Sequence, residues 1–162
     1  VRRIGGMTLR SIGEISELQT IKDNTADYVN PHDMIVELMN GRKKIFQKGT
    51  WQGNWMKGNF RDLGKIKLMI DTVPPELFKV GWENGQTFTG NKTLNFRASD
   101  KGSDIQSFSA LLDGKWLLFS NRNGLFTYNF DEHCTTGNHE LKVTVTDIAG
   151  NETTQQFSFI KK

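Results

Sequence analysis

The stretch IQSFSALLDGKWLLFS, residues 105–120, contains two apolar runs separated by Asp113-Gly114. The Asp-Gly dipeptide favours the positive φ angles that a two-residue hairpin turn requires. We therefore predict a β-hairpin here. On both sides of it, apolar and polar residues alternate with a period of two, as in TLNFRAS (93–99) and HELKVTV (139–145). This period is typical of strands that bury one face.

The second half of the chain contains seven runs of this kind, and turn residues recur between them. Sixteen glycines and eleven phenylalanines are also typical of a protein built from strands and tight turns. The spacing predicts an immunoglobulin-like sandwich of seven strands. The predicted strands are 76–80, 93–99, 105–112, 115–120, 125–130, 139–145 and 153–160.

The stretch IDTVPPEL, residues 70–77, interrupts the strand pattern. Pro74 and Pro75 have fixed φ angles and no backbone N–H, so a strand in a sheet interior cannot run through them. Charge changes at the same place: residues 1–73 have 12 Lys or Arg against 8 Asp or Glu, and residues 74–162 have 9 against 10. We predict a boundary here between domains 1–73 and 74–162.

The first half has fewer strand signals, at 34–38, 43–47, 54–60 and 65–71, with Asn40-Gly41 as a hairpin turn between the first two. These runs predict a second small β-sandwich, with the alternative open that its first strand is missing from this chain. The predicted fold class is thus all-β, with two immunoglobulin-like sandwich domains in tandem.

Composition excludes several classes of function. The net charge is only +3, and the one basic cluster, Arg42-Lys43-Lys44, is typical of a solvated hairpin turn, so we expect no nucleic-acid partner. No apolar run approaches the roughly 20 residues of a membrane helix, so we expect no membrane span. Cys134 is the only cysteine, which excludes a disulfide within the chain.

Several motifs in order resemble a known family. RDLGKIKLMIDTVPP (61–75), SDKGSDIQSF (99–108), LLDGKWLLF (111–119), YNFDE (128–132) and HELKVTVTDIAGN (139–151) are together similar to the C-terminal immunoglobulin-like region of Bacteroidetes-type cell-wall peptidases of the lysostaphin zinc-endopeptidase family. One departure is Asp104, at a position where the family pattern has glycine. The resemblance implies that the catalytic zinc domain lies outside this chain, and that the partner is a peptidase or other domain of the parent protein.

The histidines support this non-catalytic interpretation. Lysostaphin-type peptidases hold zinc with His-x-x-x-Asp and His-x-His, and neither pattern surrounds His32, His133 or His139. His133, Cys134 and His139 form at most a partial zinc site, because no fourth ligand is evident. No nucleophile motif or phosphate-binding loop is present. We therefore predict no catalytic residues and no zinc site.

A set of oxygen-bearing residues is predicted to converge at one end of the second sandwich. Loops at the same end of such a sandwich, together with the end of the preceding strand, would bring together five residues: Asp71, Asp100, Asp104, Asp147 and Asn151. Calcium takes six to eight oxygen ligands, so one hypothesis is a calcium ion at the junction. The alternative, which we favour, is that these residues cap their own turns.

Trp51 and Trp55 lie beside glycines in TWQGNWMKG, residues 50–58. An exposed indole stacks on sugar rings, so these residues are candidates for binding peptidoglycan or a surface glycan. The competing interpretation, which also applies to Trp116, is packing into a small core or against its edge.

From the sequence we therefore expect a non-catalytic accessory or spacer module of a bacterial cell-envelope protein, located in the periplasm, on the outer membrane or at the cell surface. The alternative is a surface binding module that recognises glycan or protein, as adhesins and lectins do.

Overall fold

The computed structural model describes residues 8–9, 34–52, 55–90 and 92–162, without the side chains of residues 8–9, 51–52 and 55. The described residues form strands and turns only, which confirms the prediction of an all-β fold. They contain no helix that is long and apolar enough to cross a membrane. The chain divides into two compact units: residues 1–72 with 148–150, and residues 73–147 with 151–162.

The first unit has two three-stranded sheets within the described residues. One has the order β3-β2-β6 and the other β1-β5-β4. Their core consists of Met34, Val36, Leu38, Met56 and Phe60. The strands are β1 (Thr8–Leu9), β2 (Met34–Asn40), β3 (Lys43–Lys48), β4 (Thr50–Gln52), β5 (Trp55–Lys57) and β6 (Lys65–Ile70).

The central strand β2 is buried along most of its length because its sequence, MIVEL, is apolar at four of five positions. Its one buried carboxylate, Glu37, forms an ion pair with Lys44 at 2.9 Å. The predicted hairpin is present, but its turn is Gly41-Arg42 and not Asn40-Gly41, because Asn40 pairs with Lys43 as the last residue of β2 and Gly41 has a φ of 62°. Glycine adopts this left-handed conformation without steric cost.

The second unit is a sandwich of two sheets. The five-stranded sheet has the order β11-β10-β14-β15-β8, and the four-stranded sheet has the order β12-β13-β9-β7. The nine strands within the described residues are β7 (Glu76–Lys79), β8 (Gln86–Phe88), β9 (Thr93–Ser99), β10 (Ile105–Leu112), β11 (Lys115–Leu117), β12 (Ser120–Arg122), β13 (Leu125–Asn129), β14 (Gly137–Asp147) and β15 (Glu152–Lys161).

Aromatic side chains dominate the core between these sheets. Trp82 is buried against Phe88, Phe96 and Phe157, and its Nε1–H donates to the carbonyl of Asn95 at 3.1 Å. Edge-on aromatic contacts of this kind add to the free energy of burying the rings. The sandwich thus forms around aromatic packing, with no disulfide between its sheets.

The structure corrects the expected strand count of seven. The predicted strand 115–120 is two strands, because the chain leaves the five-stranded sheet after Leu117 and enters the four-stranded sheet at Ser120. The short strand β8 was not predicted, since it pairs in parallel with the distant β15 and has only three residues.

The start of the second unit is tied to its last strand. Pro75 is buried, and its carbonyl accepts a hydrogen bond from the Thr153 hydroxyl. Two residues later, the Leu77 carbonyl accepts a hydrogen bond from the Gln155 side chain at 3.4 Å. Because β15 begins at Glu152, the chain enters this unit beside the first residues of β15.

Candidate functional site

Asp100 and Asp147 lie together at one end of the second unit. Each offers a carboxylate oxygen within 4.8 Å of the other. The Asp100 Oδ2 accepts hydrogen bonds from the N–H groups of Gly102 (2.8 Å) and Ser103 (2.6 Å). Asp147 accepts hydrogen bonds from the N–H (2.9 Å) and the side-chain amide (2.8 Å) of Asn151. Both carboxylates therefore cap turns, as the alternative to the calcium hypothesis requires.

Asp104 and Asp71 are the remaining carboxylate candidates for calcium. Asp104 is exposed, and its side chain forms no hydrogen bond with another described residue. Asp71 is buried directly after β6 and belongs to the first unit. Within the described part of the second unit, the Asp100 Oδ1 is buried and lacks a hydrogen-bond partner. Calcium binding at these carboxylates stays a prediction.

His139 forms a buried link between two turns. Its side chain is 5% exposed. Its Nδ1 lies 2.7 Å from the Asp113 carboxylate, and its Nε2 lies 2.6 Å from the Thr135 carbonyl. Both of these partners accept hydrogen bonds only, so the ring satisfies both when both nitrogens carry protons. Because both ring nitrogens are engaged, His139 offers no free nitrogen to a metal.

Burial raises the pKa of Asp113, but hydrogen bonds from the Glu140 N–H and from His139 outweigh this effect. The pKa of Asp113 is consequently lowered from its ordinary value. The Glu140 N–H lies 2.9 Å from the Asp113 Oδ1. The carboxylate therefore fixes both the hairpin turn and the start of β14, where His139 and Glu140 are neighbours.

Cys134 is fully buried. Burial raises the pKa of its thiol to about 11. The thiolate is the nucleophile and the metal ligand, so a protonated thiol at neutral pH is poorly suited to either role. His133 is exposed on the neighbouring turn, and its backbone N–H donates to Asp131. His32 lies outside the described residues.

Nearby, the Tyr128 hydroxyl donates to Asp131 at 2.5 Å. Burial first, and then this hydrogen bond, raise the pKa of Tyr128. The same hydrogen bond lowers the pKa of Asp131. This pair therefore holds a protonated phenol against an ionised carboxylate, which fixes the loop after β13 and is unsuited to proton transfer near neutral pH.

The tryptophans fall into three groups. The side chains of Trp51 and Trp55, predicted to stack on glycan, lie outside the described part of the chain. Trp82 is a core residue. Trp116 was expected to pack in the core or at its edge, but its side chain is 66% exposed, so that expectation was wrong.

The hairpin register explains the exposure of Trp116. Leu117 lies opposite Ala110, and both face the core, so Trp116 and its partner Leu111 face outward. The run WLLF, residues 116–119, is apolar throughout, so its composition does not show which residue faces the core. The Asp-Gly turn does show it, because a two-residue turn places Leu112 opposite Lys115 and therefore Leu111 opposite Trp116. Trp116 must then face the same side of the sheet as Leu111.

A shallow groove of about 370 Å³ lies on the outer face of the five-stranded sheet. Its lining is about equally polar and apolar. It includes Asn84, Leu111, Glu140, Lys142, Gln156 and Ser158. Within the described residues, the side chains of Glu140, Lys142 and Gln156 form no hydrogen bond or ion pair, so all three are available to a ligand.

The nine-stranded sandwich and its turn chemistry agree with the comparison to protein families. Residues 80–160, half of the chain, match the model of the bacterial Ig-like domain. The chain belongs to this family. The match covers β8–β15, so it includes the Asp113 hairpin, His139 and the outer face of the five-stranded sheet.

A curated relative of this bacterial Ig-like domain is the uncharacterized protein YvnB of Bacillus subtilis. It is 39% identical over 88 residues, which are 54% of this chain and 6% of that protein. The chain therefore matches only a small part of its relative's length.

Solved structures with similar folds include the endo-β-1,4-mannanase from Thermotoga petrophila, with TM-score 0.48 and 10% identity over 57% of this chain and 20% of that one. The fibronectin(III)-like modules of Clostridium thermocellum CbhA give a TM-score of 0.44 and 19% identity, over 54% of this chain and 97% of that one. Dimeric latent PorU from Porphyromonas gingivalis gives a TM-score of 0.44 and 14% identity, over 80% of this chain and 20% of that one.

Proposed function

We propose that this chain is a non-catalytic accessory or spacer module of a bacterial cell-envelope protein, and that it holds a partner domain near the cell wall. The observation that carries this proposal is the bacterial Ig-like domain at residues 80–160, whose curated relative contains the matching segment as 6% of its length. A domain that is a small part of a long chain is suited to positioning other domains.

The physical basis of such a role is stiffness. Each unit has its own hydrophobic core. Pro74 and Pro75, between β6 and β7, have fixed φ angles and so restrict the conformations of the connecting segment. The anchoring of Pro75 by Thr153 fixes one end of this segment.

The side chains that sequence reasoning considered for chemistry have structural roles. His139 is held by Asp113 and Thr135, and Cys134 is a buried, protonated thiol. Asp100 and Asp147 cap turns. These roles support a module that is not itself a catalyst.

In its finer form, the proposal makes the parent protein a cell-wall peptidase of the lysostaphin family, in the periplasm, on the outer membrane or at the surface. The sequence motifs at 61–75, 99–108 and 139–151 support it. An upstream reading frame that encodes His-x-x-x-Asp and His-x-His would identify the parent as such a peptidase. A parent with no such domain would overturn this finer form while leaving the spacer role intact.

The experiment compares the parent protein with a variant in which residues 1–162 are replaced by a flexible Gly/Ser linker of equal length. We expect the variant to retain activity on soluble wall fragments and to lose it on intact cell walls. Equal losses on both substrates, or turnover of fragments by the isolated chain, would contradict a spacer role.

A further inference from the structure

The outer face of the five-stranded sheet carries a row of side chains on four adjacent strands. Trp116 of β11 lies opposite Leu111 of β10, Leu111 opposite Lys142 of β14, and Lys142 opposite Gln156 of β15. Neighbouring strands are about 4.8 Å apart, so the row is about 14 Å long. One end is aromatic and the other is polar.

The apolar end of the row is exposed. The side chains of Trp116 and Leu118 are 66% and 67% exposed. Trp82 already serves as the core tryptophan of this unit, so packing of the sandwich does not account for Trp116. A large indole left in water at a sheet edge is a feature that binding sites commonly use.

The polar end of the row is unused by the protein. Glu140 and Lys142 project from the same face of β14, and neither forms an ion pair with another described residue. With Gln156 they line the groove of about 370 Å³ beside the row. This volume falls within the range of small-molecule sites. Together the three side chains offer a carboxylate, an ammonium and an amide.

We propose that this face binds a β-linked pyranose oligosaccharide. A pyranose with equatorial hydroxyls has a flat face of C–H groups, whose partial positive charge complements the negative face of the Trp116 indole. The hydroxyls around its rim form hydrogen bonds with groups such as Glu140, Lys142 and Gln156. The row therefore presents both kinds of contact along a length that suits a short glycan.

The size of the apolar patch favours a glycan over a protein partner. A stable protein interface buries about 800 Å² on each partner and has an apolar centre. Here the large apolar side chains that are well exposed are Trp116 and Leu118, while Glu140, Lys142 and Gln156 supply polar groups beside them. One indole flanked by hydrogen-bonding groups is enough for a sugar ring.

The test is calorimetric titration of the whole chain with two probes, N-acetylglucosamine hexasaccharide and cellohexaose, together with tryptophan fluorescence. Trp116→Ala is the test variant. Phe78→Ala is its matched control, because Phe78 is an aromatic residue, 50% exposed, on the four-stranded sheet. Circular dichroism checks that both variants fold.

We expect at least one probe to bind and to shift the tryptophan emission. Trp116→Ala should weaken binding at least tenfold, which is about 1.4 kcal/mol, and Phe78→Ala should leave it unchanged. Absence of binding by both probes at millimolar concentration would overturn the proposal, as would equal binding by Trp116→Ala. Self-association or peptide binding that Trp116→Ala abolishes, with no sugar bound, would assign the face to a protein instead. None of these results bears on the spacer role, which is measured on the parent protein.

Discussion

The link between Asp113 and His139 predicts what the loss of the Asp113 charge would cost. The Asp113 carboxylate lies 2.7 Å from the His139 Nδ1 and also accepts a hydrogen bond from the Glu140 N–H at 2.9 Å. In Asp113→Asn a neutral amide replaces this charged acceptor, and hydrogen bonds to a charged group are the stronger ones. The variant should therefore be less stable than the wild type wherever Asp113 is ionised. Asparagine also tolerates the φ of 49° at this position.

The expected magnitude follows from the exposure of the pair. A hydrogen bond between charged groups contributes about 1.5–3 kcal/mol to stability. The Asp113 side chain is 46% exposed, and solvent screening reduces this to about 1–1.5 kcal/mol. We expect the variant to be less stable by that amount at pH 7.

The sign of the acid effect follows from the lowered pKa of Asp113. A carboxylate with a lowered folded pKa contributes stability that is present above its unfolded pKa and is lost as the pH falls through the folded pKa. Asp113 is thus ionised at pH 7. As the pH falls below the ordinary value of 3.8, the wild type should begin to lose its advantage over the asparagine variant.

The assay is urea unfolding at pH 7 and pH 3, followed by the change in tryptophan fluorescence. For a domain of this size, 1 kcal/mol also corresponds to about 4–8 °C in Tm. Asp104→Asn is the matched control, because it makes the same change of charge at an exposed residue of the same unit. An equal difference at both pH values, or an equal effect of the control, would refute the assignment of the effect to the Asp113 carboxylate.

Three further predictions concern stability. Trp82→Ala should cost about 3–5 kcal/mol in urea unfolding, because it empties the centre of the aromatic core, and a cost below 1 kcal/mol would contradict that role. Gly64→Ala should destabilise the first unit by about 1–3 kcal/mol, because the added Cβ would lie 2.2 Å from the Met39 carbonyl oxygen. Hydrogen exchange in β2 should become faster, and unchanged exchange would contradict this contact. Millimolar calcium should leave the Tm unchanged, because three of the four carboxylate oxygens of Asp100 and Asp147 already accept hydrogen bonds. A rise in Tm that Asp100→Asn abolishes would instead show that calcium binds at these carboxylates.

Local signals predicted the elements that depend on neighbouring residues. Gly41-Arg42 and Asp113-Gly114 form the turns of the two predicted hairpins, because glycine and aspartate adopt the required positive φ angles readily; the sequence pattern placed the first turn one residue early, at Asn40-Gly41. The alternation in β9 likewise predicted which residues face the core, since Leu94 and Phe96 are fully buried. These features are determined within about ten residues of sequence.

Features that depend on distant residues were not predictable in this way. The strand β8 exists because it pairs with β15, which lies more than 60 residues later. The link between His139 and Asp113 joins residues 26 positions apart. Tertiary pairing, not local propensity, decides such cases.

The contact between Pro75 and Thr153 has a mechanical consequence for the second unit. The chain enters this unit beside the start of β15 and leaves it at the far end of the same strand, so tension applied to the two ends acts along β15. β15 pairs with β14 at ten successive positions. Tension in this direction loads all ten strand pairings together in shear and does not separate them one after another. This geometry suits a module that carries tension between neighbouring domains.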